Sequence, residues 1–217
     1  MVDYTARRTM MVDTQVRPAD VTKFNIIDAM LTVAREEFVP AAQREAAYMG
    51  ENLDLGQGRV VLEPRTLAKM LDALAVSRSE LVLDVGCAMG YSAAVIAHMA
   101  EAVVALEQDE AMAAEAQEAF VATGADNAVM HVGPLADGAP SHGPYDVIVI
   151  EGGVSTVPEA LLDQLKDGGR IAALFMDGEL GEVRIGYKRG DTISWRMAFN
   201  ASAPVLDGFK REKAFQL

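Results

Sequence analysis

Between residues 81 and 175, apolar runs of strand length alternate with helical patterns, and this alternation limits the possible folds more than any other feature of the chain. The runs are Leu81–Val85, Ala102–Leu106, Val129–Val132, Tyr145–Ile150 and Arg170–Phe175, with helical patterns near 91–100, 109–122 and 158–166. Strand and helix taken in turn predict a parallel sheet covered by helices on both faces. The tail changes period, because Val183–Tyr187 and Ile193–Met197 alternate around Lys188-Arg189-Gly190-Asp191, the signature of an antiparallel hairpin. Upstream, Ile27, Met30, Leu31 and Ala34 mark one helix face before Phe38-Val39-Pro40, and Leu67, Met70, Leu71 and Leu74 mark another after a loop over Glu51–Pro64.

At 217 residues the chain suits one core with a modest extension. Its 51% hydrophobic and 24% charged residues exclude collagen-like and wholly disordered readings. Lys plus Arg is 19 against 32 Asp plus Glu, so a net charge of −13 argues against nucleic acid as a partner. The acids crowd into residues 101–183, and the more basic tail after 184 is expected to be a solvated face that pairs with them. A single cysteine allows no internal disulfide. The start lacks the apolar core of a secretory signal, and the stretch Ala93–Leu106 is broken by His98 and Glu101, short of the ~20 residues of a membrane span. A cytoplasmic protein with no membrane partner is expected.

The sharpest local signal is Leu83-Asp84-Val85-Gly86-Cys87-Ala88-Met89-Gly90-Tyr91, a strand, a glycine turn and the start of a helix. Open α/β sheets bind ligands outside the carboxyl ends of their strands, and glycine lets the backbone approach closely there. The next strand ends at Glu107, about 20 residues on, where a carboxylate can accept hydrogen bonds from ribose hydroxyls. A dinucleotide fingerprint would need small residues at Gly86, Ala88 and Tyr91, and Tyr91 fails. Gly86-x-x-x-Gly90 instead suits a cofactor without phosphate, such as S-adenosylmethionine. A plain structural turn is the alternative.

The chain resembles the protein-L-isoaspartate O-methyltransferases. The resemblance runs through Met11–Arg17, Arg35-Glu36-Glu37-Phe38-Val39-Pro40, the Gly56-Gln57 loop, Val82–Gly86, Gly90-Tyr91, Pro144–Val149 and Pro158–Arg170. It implies a Rossmann-like class I methyltransferase fold of the α/β class, with a seven-stranded, mostly parallel sheet, a C-terminal antiparallel hairpin and a helical N-terminal extension. It divides the chain into an extension with an acceptor-side loop over 1–77 and an S-adenosylmethionine-binding domain over 78–217. It implies methyl transfer from S-adenosylmethionine, leaving S-adenosylhomocysteine, to the free carboxylate of isoaspartyl residues in damaged proteins or peptides. The cofactor-binding residues expected are Asp84, Gly86, Cys87, Ala88, Gly90 and Glu107. The helical extension, residues 20–35 in particular, is expected to cover the cofactor or acceptor side.

Three positions depart from the family pattern. Leu62 falls where the acceptor-loop serine is expected, Ala88 replaces the middle glycine of the turn, and Pro134 stands where an aspartate would accept from adenine. These departures leave two alternatives to isoaspartyl repair open: a different acceptor, or a non-catalytic relative that binds the cofactor.

Methylating a carboxylate needs no general base, since its unperturbed pKa lies near 4. An anion holder is needed, and Arg59 is the candidate, a planar fork matching a carboxylate; an exposed loop arginine is the alternative. Glu63 reads as a base for a neutral acceptor or as a surface carboxylate. Cys87 reads as a small side chain filling the turn, His98 as a helix residue, and His131 and His142 show no metal-ligand spacing. The 12 methionines read as core packing, and Trp195 and Phe199 as hairpin side chains over the sheet.

Overall fold

The computed structural model describes residues 2–211. Helices α1 (Tyr4–Met11) and α2 (Phe24–Thr32) lead, through one-turn helical segments, into strands β1 (Leu53–Gly56) and β2 (Arg59–Val61) and helix α3 (Pro64–Leu74). Then follow β3 (Leu81–Val85), α4 (Tyr91–Ala97), β4 (Ala102–Glu107), α5 (Glu110–Thr123), β5 (Ala128–Val132), β6 (Tyr145–Val154), α6 (Glu159–Leu162), β7 (Leu165–Asp177), β8 (Leu180–Arg189) and β9 (Thr192–Asn200). The large sheet has seven strands in the order β5-β4-β3-β6-β7-β8-β9. Pairing from β5 through β7 is parallel, and β8 and β9 are added antiparallel.

Side chains alternate across the sheet with period two, so each strand supplies two cores. Val82, Val103, Val147, Val149 and Ala172 face one cluster, with α1 to α4 packed over it; Leu83, Val85, Leu106, Ile148, Ile150 and Ile171 face the other. The first cluster runs from Met11 to Ala203, so the buried residues between Met11 and Val76 share their core with the sheet. Trp195 sets its ring edge against Phe175 at 4.9 Å, and Phe199 is buried under Lys69 and Arg65.

Four features differ from expectation. The loop over Glu51–Pro64 is a β-hairpin, since Gln57 and Gly58 take φ of 53° and 74°, both left-handed, the geometry of a two-residue turn that matches strand twist. The helix near 158–166 shortens to Glu159–Leu162, because β7 already begins at Leu165. Helix α2 buries Ile26, Ile27, Ala29 and Met30 but lies at the amino ends of the strands, where Asp28 meets His98 at the end of α4 and Asn25 reaches the Val76 carbonyl. The helix therefore packs away from Gly86 and does not cover the turn, and only the end of the 20–35 stretch, Arg35, reaches the acceptor-side loop, at the Leu62 carbonyl. Among the described ion pairs, Lys210 stays within the tail, with Asp207, and only Arg184, on Glu182 at the end of the acidic stretch, pairs the tail with it.

Candidate functional site

The turn after β3 has the conformation its glycines predict. Gly86, Ala88 and Gly90 have φ of 79°, 51° and 93°, so three of five residues are left-handed, and Ala88 is there despite its Cβ. The Gly86 and Cys87 amides donate to the Leu106 carbonyl of β4 at 2.8 and 3.2 Å, which fixes the turn against the end of the next strand. A Cβ at Gly90 would lie 2.6 Å from the Phe120 ring, so glycine also permits α5 to pack here.

Glu107 is fully buried at the end of β4. Its Oε1 accepts from the Gln108 and Asp109 amides at 2.8 and 3.1 Å, and its Oε2 from the Ala88 amide at 2.8 Å. The fourth donor is the guanidinium of Arg59, 2.5 Å from Oε2, which also donates to the Gly86 carbonyl at 2.6 Å. The hairpin turn explains this reach: it pairs Gly56 with Arg59 and turns all three residues of β2 into the interior. Arg59 is 4% exposed, so it is neither the open anion holder nor the solvated loop residue that the sequence allows. Its charge is already spent on Glu107, and no acceptor contact is assigned to it.

Asp84 is also fully buried. Its Oδ2 accepts from the Ser92 hydroxyl at 2.6 Å, while Oδ1 has no partner. Burial pushes its pKa up to about 7, against the Ser92 hydrogen bond and the Arg59 charge. Glu151, one residue past the stretch Tyr145–Ile150, is 4% exposed, with Oε1 unpartnered. Burial, reinforced by the nearby Asp84 charge, raises its pKa well above the usual carboxylate range. The same two causes raise the Cys87 thiol, which suits a packing role and not a nucleophile.

Arg35 is fully buried, donating to the Ala47 and Leu62 carbonyls at 2.6 and 2.8 Å with its guanidinium 4.5 Å from the Tyr91 ring centre. Leu62 is 1% exposed and lines a cavity with Gly86, Cys87, Tyr91, Ser92 and Glu151. Glu63 accepts from the Thr66 hydroxyl at 2.6 Å and lies 3.6 Å from Arg65, so its carboxylate is engaged at the start of α3 and is not a free base. Pro134 is exposed and opens a one-turn helix. His131 and His142 stack edge to face at 5.2 Å, and among the described residues no His, Cys, Asp and Glu cluster could hold a metal.

Sequence reasoning passed over Arg35, Glu151 and Leu206. Glu151 carried the same signal as Glu107, an acid at the carboxyl end of a parallel strand. Leu206 carried none: it belongs to an irregular segment that crosses the ends of β3 and β6, held by the pairs Gly153 N–H to Pro204 O at 2.8 Å, Leu206 N–H to Gly153 O at 2.9 Å and Ser155 N–H to Phe209 O at 2.9 Å.

This segment decides whether S-adenosylmethionine fits. A Cβ at Gly86 would lie 3.0 Å from Arg59 Nη2 and 3.4 Å from Leu206 Cδ1, and one at Gly152 only 2.6 Å from Leu206 Cδ2. The cavity beside the turn is about 10 Å³, room for about one water, whereas small-molecule sites span about 300–1,000 Å³. The expected residue types are assembled, but the space above them is filled by the chain itself. In this arrangement the cofactor does not fit.

Comparison with known proteins gives one consistent answer. The profile of the protein-L-isoaspartate(D-aspartate) O-methyltransferase family matches residues 6–190. A protein-L-isoaspartate O-methyltransferase of Roseiflexus castenholzii is 33% identical over 209 residues, 95% of each chain. Another, of Methylorubrum populi, is 40% identical over 167 residues, 76% of this chain and 78% of that one. Among solved structures, a protein-L-isoaspartate O-methyltransferase superposes with a TM-score of 0.81 at 24% identity, covering 93% of this chain and 66% of that one. A Plasmodium falciparum protein described as the same enzyme in complex with S-adenosyl-L-homocysteine gives 0.79 at 17% identity, covering 95% and 99%. These structural likenesses concern the fold.

Proposed function

Because the chain belongs to the protein-L-isoaspartate(D-aspartate) O-methyltransferase family, whose enzymes depend on S-adenosylmethionine, we propose that it methylates the free carboxylate of isoaspartyl residues in damaged proteins or peptides. The observation that carries this reading is the left-handed turn at Gly86, Ala88 and Gly90 with Glu107 bonded to the Ala88 amide. Asp84, Cys87 and these four residues are the cofactor side of the site.

The acceptor chemistry suits a site without a base. An isoaspartyl carboxylate is ionised at neutral pH, so positioning and exclusion of water are what the protein must supply. The side chains around the turn do both: Leu62 and Cys87 are buried apolar walls beside the buried Tyr91 ring, and Arg35 holds the Leu62 carbonyl in place. A second reading, transfer to a different acceptor, is favoured by Leu62 itself, which offers no hydroxyl to a carboxylate. No helix among the described residues is long and apolar enough to cross a membrane, and a cytoplasmic site of action accords with damaged proteins as substrate.

The test is transfer of tritiated methyl groups from S-adenosylmethionine to a matched pair of peptides, one isoaspartyl and one aspartyl. Label on the isoaspartyl peptide alone, as a base-labile ester, is the expected outcome. Label on some other acceptor with none on the isoaspartyl peptide selects the second reading.

A further inference from the structure

We infer that the Arg59 guanidinium and the Leu206 side chain are built-in occupants of the cofactor cleft, closing it in the folded protein, so that S-adenosylmethionine or S-adenosylhomocysteine enters only when both are displaced. This inference rests on the cofactor reading above and adds to it a self-closing mechanism.

Glu107 is the first reason. A carboxylate has about four lone-pair sites, and Glu107 has four donors: the Gln108, Asp109 and Ala88 amides and Arg59. Three of these belong to the turn and the strand end and cannot leave without unfolding them. Arg59 is the one donor carried on a different element, so its bond is the one that ribose hydroxyls would replace.

Volume is the second reason. Leu206 lies against Gly86 and Gly152, the two glycines that leave the ends of β3 and β6 bare, and takes the space that those missing side chains provide. Its segment is pinned by backbone hydrogen bonds at Gly153 and Ser155, so it is a formed part of the fold and not a loose end.

Charge is the third. Asp84, Glu107 and Glu151 are all buried around the turn, and Arg59 stands among them as a counter-cation. Yet Arg59 is a poor fit as a permanent one: its Nε and Nη1 have no partner, and neither have Asp84 Oδ1 and Glu151 Oε1. Buried donors and acceptors left unpaired side by side mark an arrangement that a ligand bearing both an ammonium group and hydroxyls would satisfy better than arginine does. Apparent affinity falls by the fraction of molecules open, so a cleft open in one molecule in a hundred weakens binding about a hundredfold.

The experiment is calorimetric titration of S-adenosylhomocysteine into the wild type, Arg59→Ala and Leu206→Ala, with folding of each checked by circular dichroism. Relieving either occupant is expected to tighten binding by about tenfold or more. Wild-type binding as tight as in both variants overturns the closure while leaving the cofactor reading intact. Folded variants that still take up no ligand overturn the cofactor reading itself. Hydrogen exchange of the wild type at saturating S-adenosylmethionine makes the test independent of how well the variants fold. The Ser155 and Leu206 amides should lose protection as the segment lifts, and uptake of ligand with both amides still protected overturns the closure.

Discussion

Two buried arginines stand at the two ends of the glycine turn, Arg59 on the Gly86 carbonyl and Arg35 over the Tyr91 ring, and their surroundings differ. Arg35 donates to two main-chain carbonyls and lies over the Tyr91 ring, with no carboxylate in hydrogen-bond contact. Arg59 lies on the Glu107 carboxylate and one carbonyl. The first ties the N-terminal region to the residue after β2 through neutral acceptors and has nothing to exchange with. The second neutralises an acid at a strand end, a place where the fold ordinarily receives a ligand. Burial alone therefore does not distinguish a structural arginine from one that occupies a site; its partners do.

The largest expected effect breaks the pair on the Arg59 side. Arg59→Ala strands a buried carboxylate and should cost about 3–5 kcal/mol in urea unfolding, and adding Glu107→Gln should recover much of it. If the double variant is as unstable as the single one, the cost lies in packing and the two arginines are alike.

Next in size is a pH effect centred on Asp84, which feels the Arg59 charge. The folded pKa of Asp84, pushed up to about 7, exceeds its unfolded value near 4, so the native state binds the extra proton. This contribution is complete below pH 4 and lost as pH rises through 7, which predicts that stability falls by on the order of 2–4 kcal/mol from pH 4 to 8. Asp84→Asn should remove the Asp84 share of that slope, whereas Arg35 variants should change only the share of Glu151, whose burial-raised pKa the Arg35 charge opposes.

Arg35→Lys sharpens the other side. One ammonium cannot reach both the Ala47 and Leu62 carbonyls as the fork does, so a loss of about 1–3 kcal/mol is expected. Glu107→Gln should not alter that loss, and a double-mutant cycle measures this directly. Smallest is Ser92→Ala, which removes the hydroxyl from Asp84 and should cost about 1 kcal/mol at pH 8, and less at pH 5 where Asp84 is protonated.

The parallel strands were legible in the sequence because each is a short apolar run buried on both faces, and β3 matches its expected limits, Leu81–Val85, at both ends. Period identified the buried face of α2 but not its partner, and the helix packs at the amino ends of the strands. Asp84, Gly86 and Glu107 were legible because turn conformation and strand ends are local properties. Arg59 was misjudged because its role depends on Glu107, 48 residues away, and on a hairpin turn that brings the two together. Leu206 was invisible because its segment has no period of either kind.

Cys87 has a practical consequence. It is the chain's single cysteine, it is 4% exposed, and it lines the small cavity beside Gly86, the residue against which Arg59 and Leu206 pack. A thiol reagent can reach it only through an opening of the cleft, so the rate of labelling, divided by that of a free thiol of the same ionisation, counts the open molecules. The protein thus contains its own reporter, which needs no introduced probe and reads the same equilibrium in the absence of any ligand.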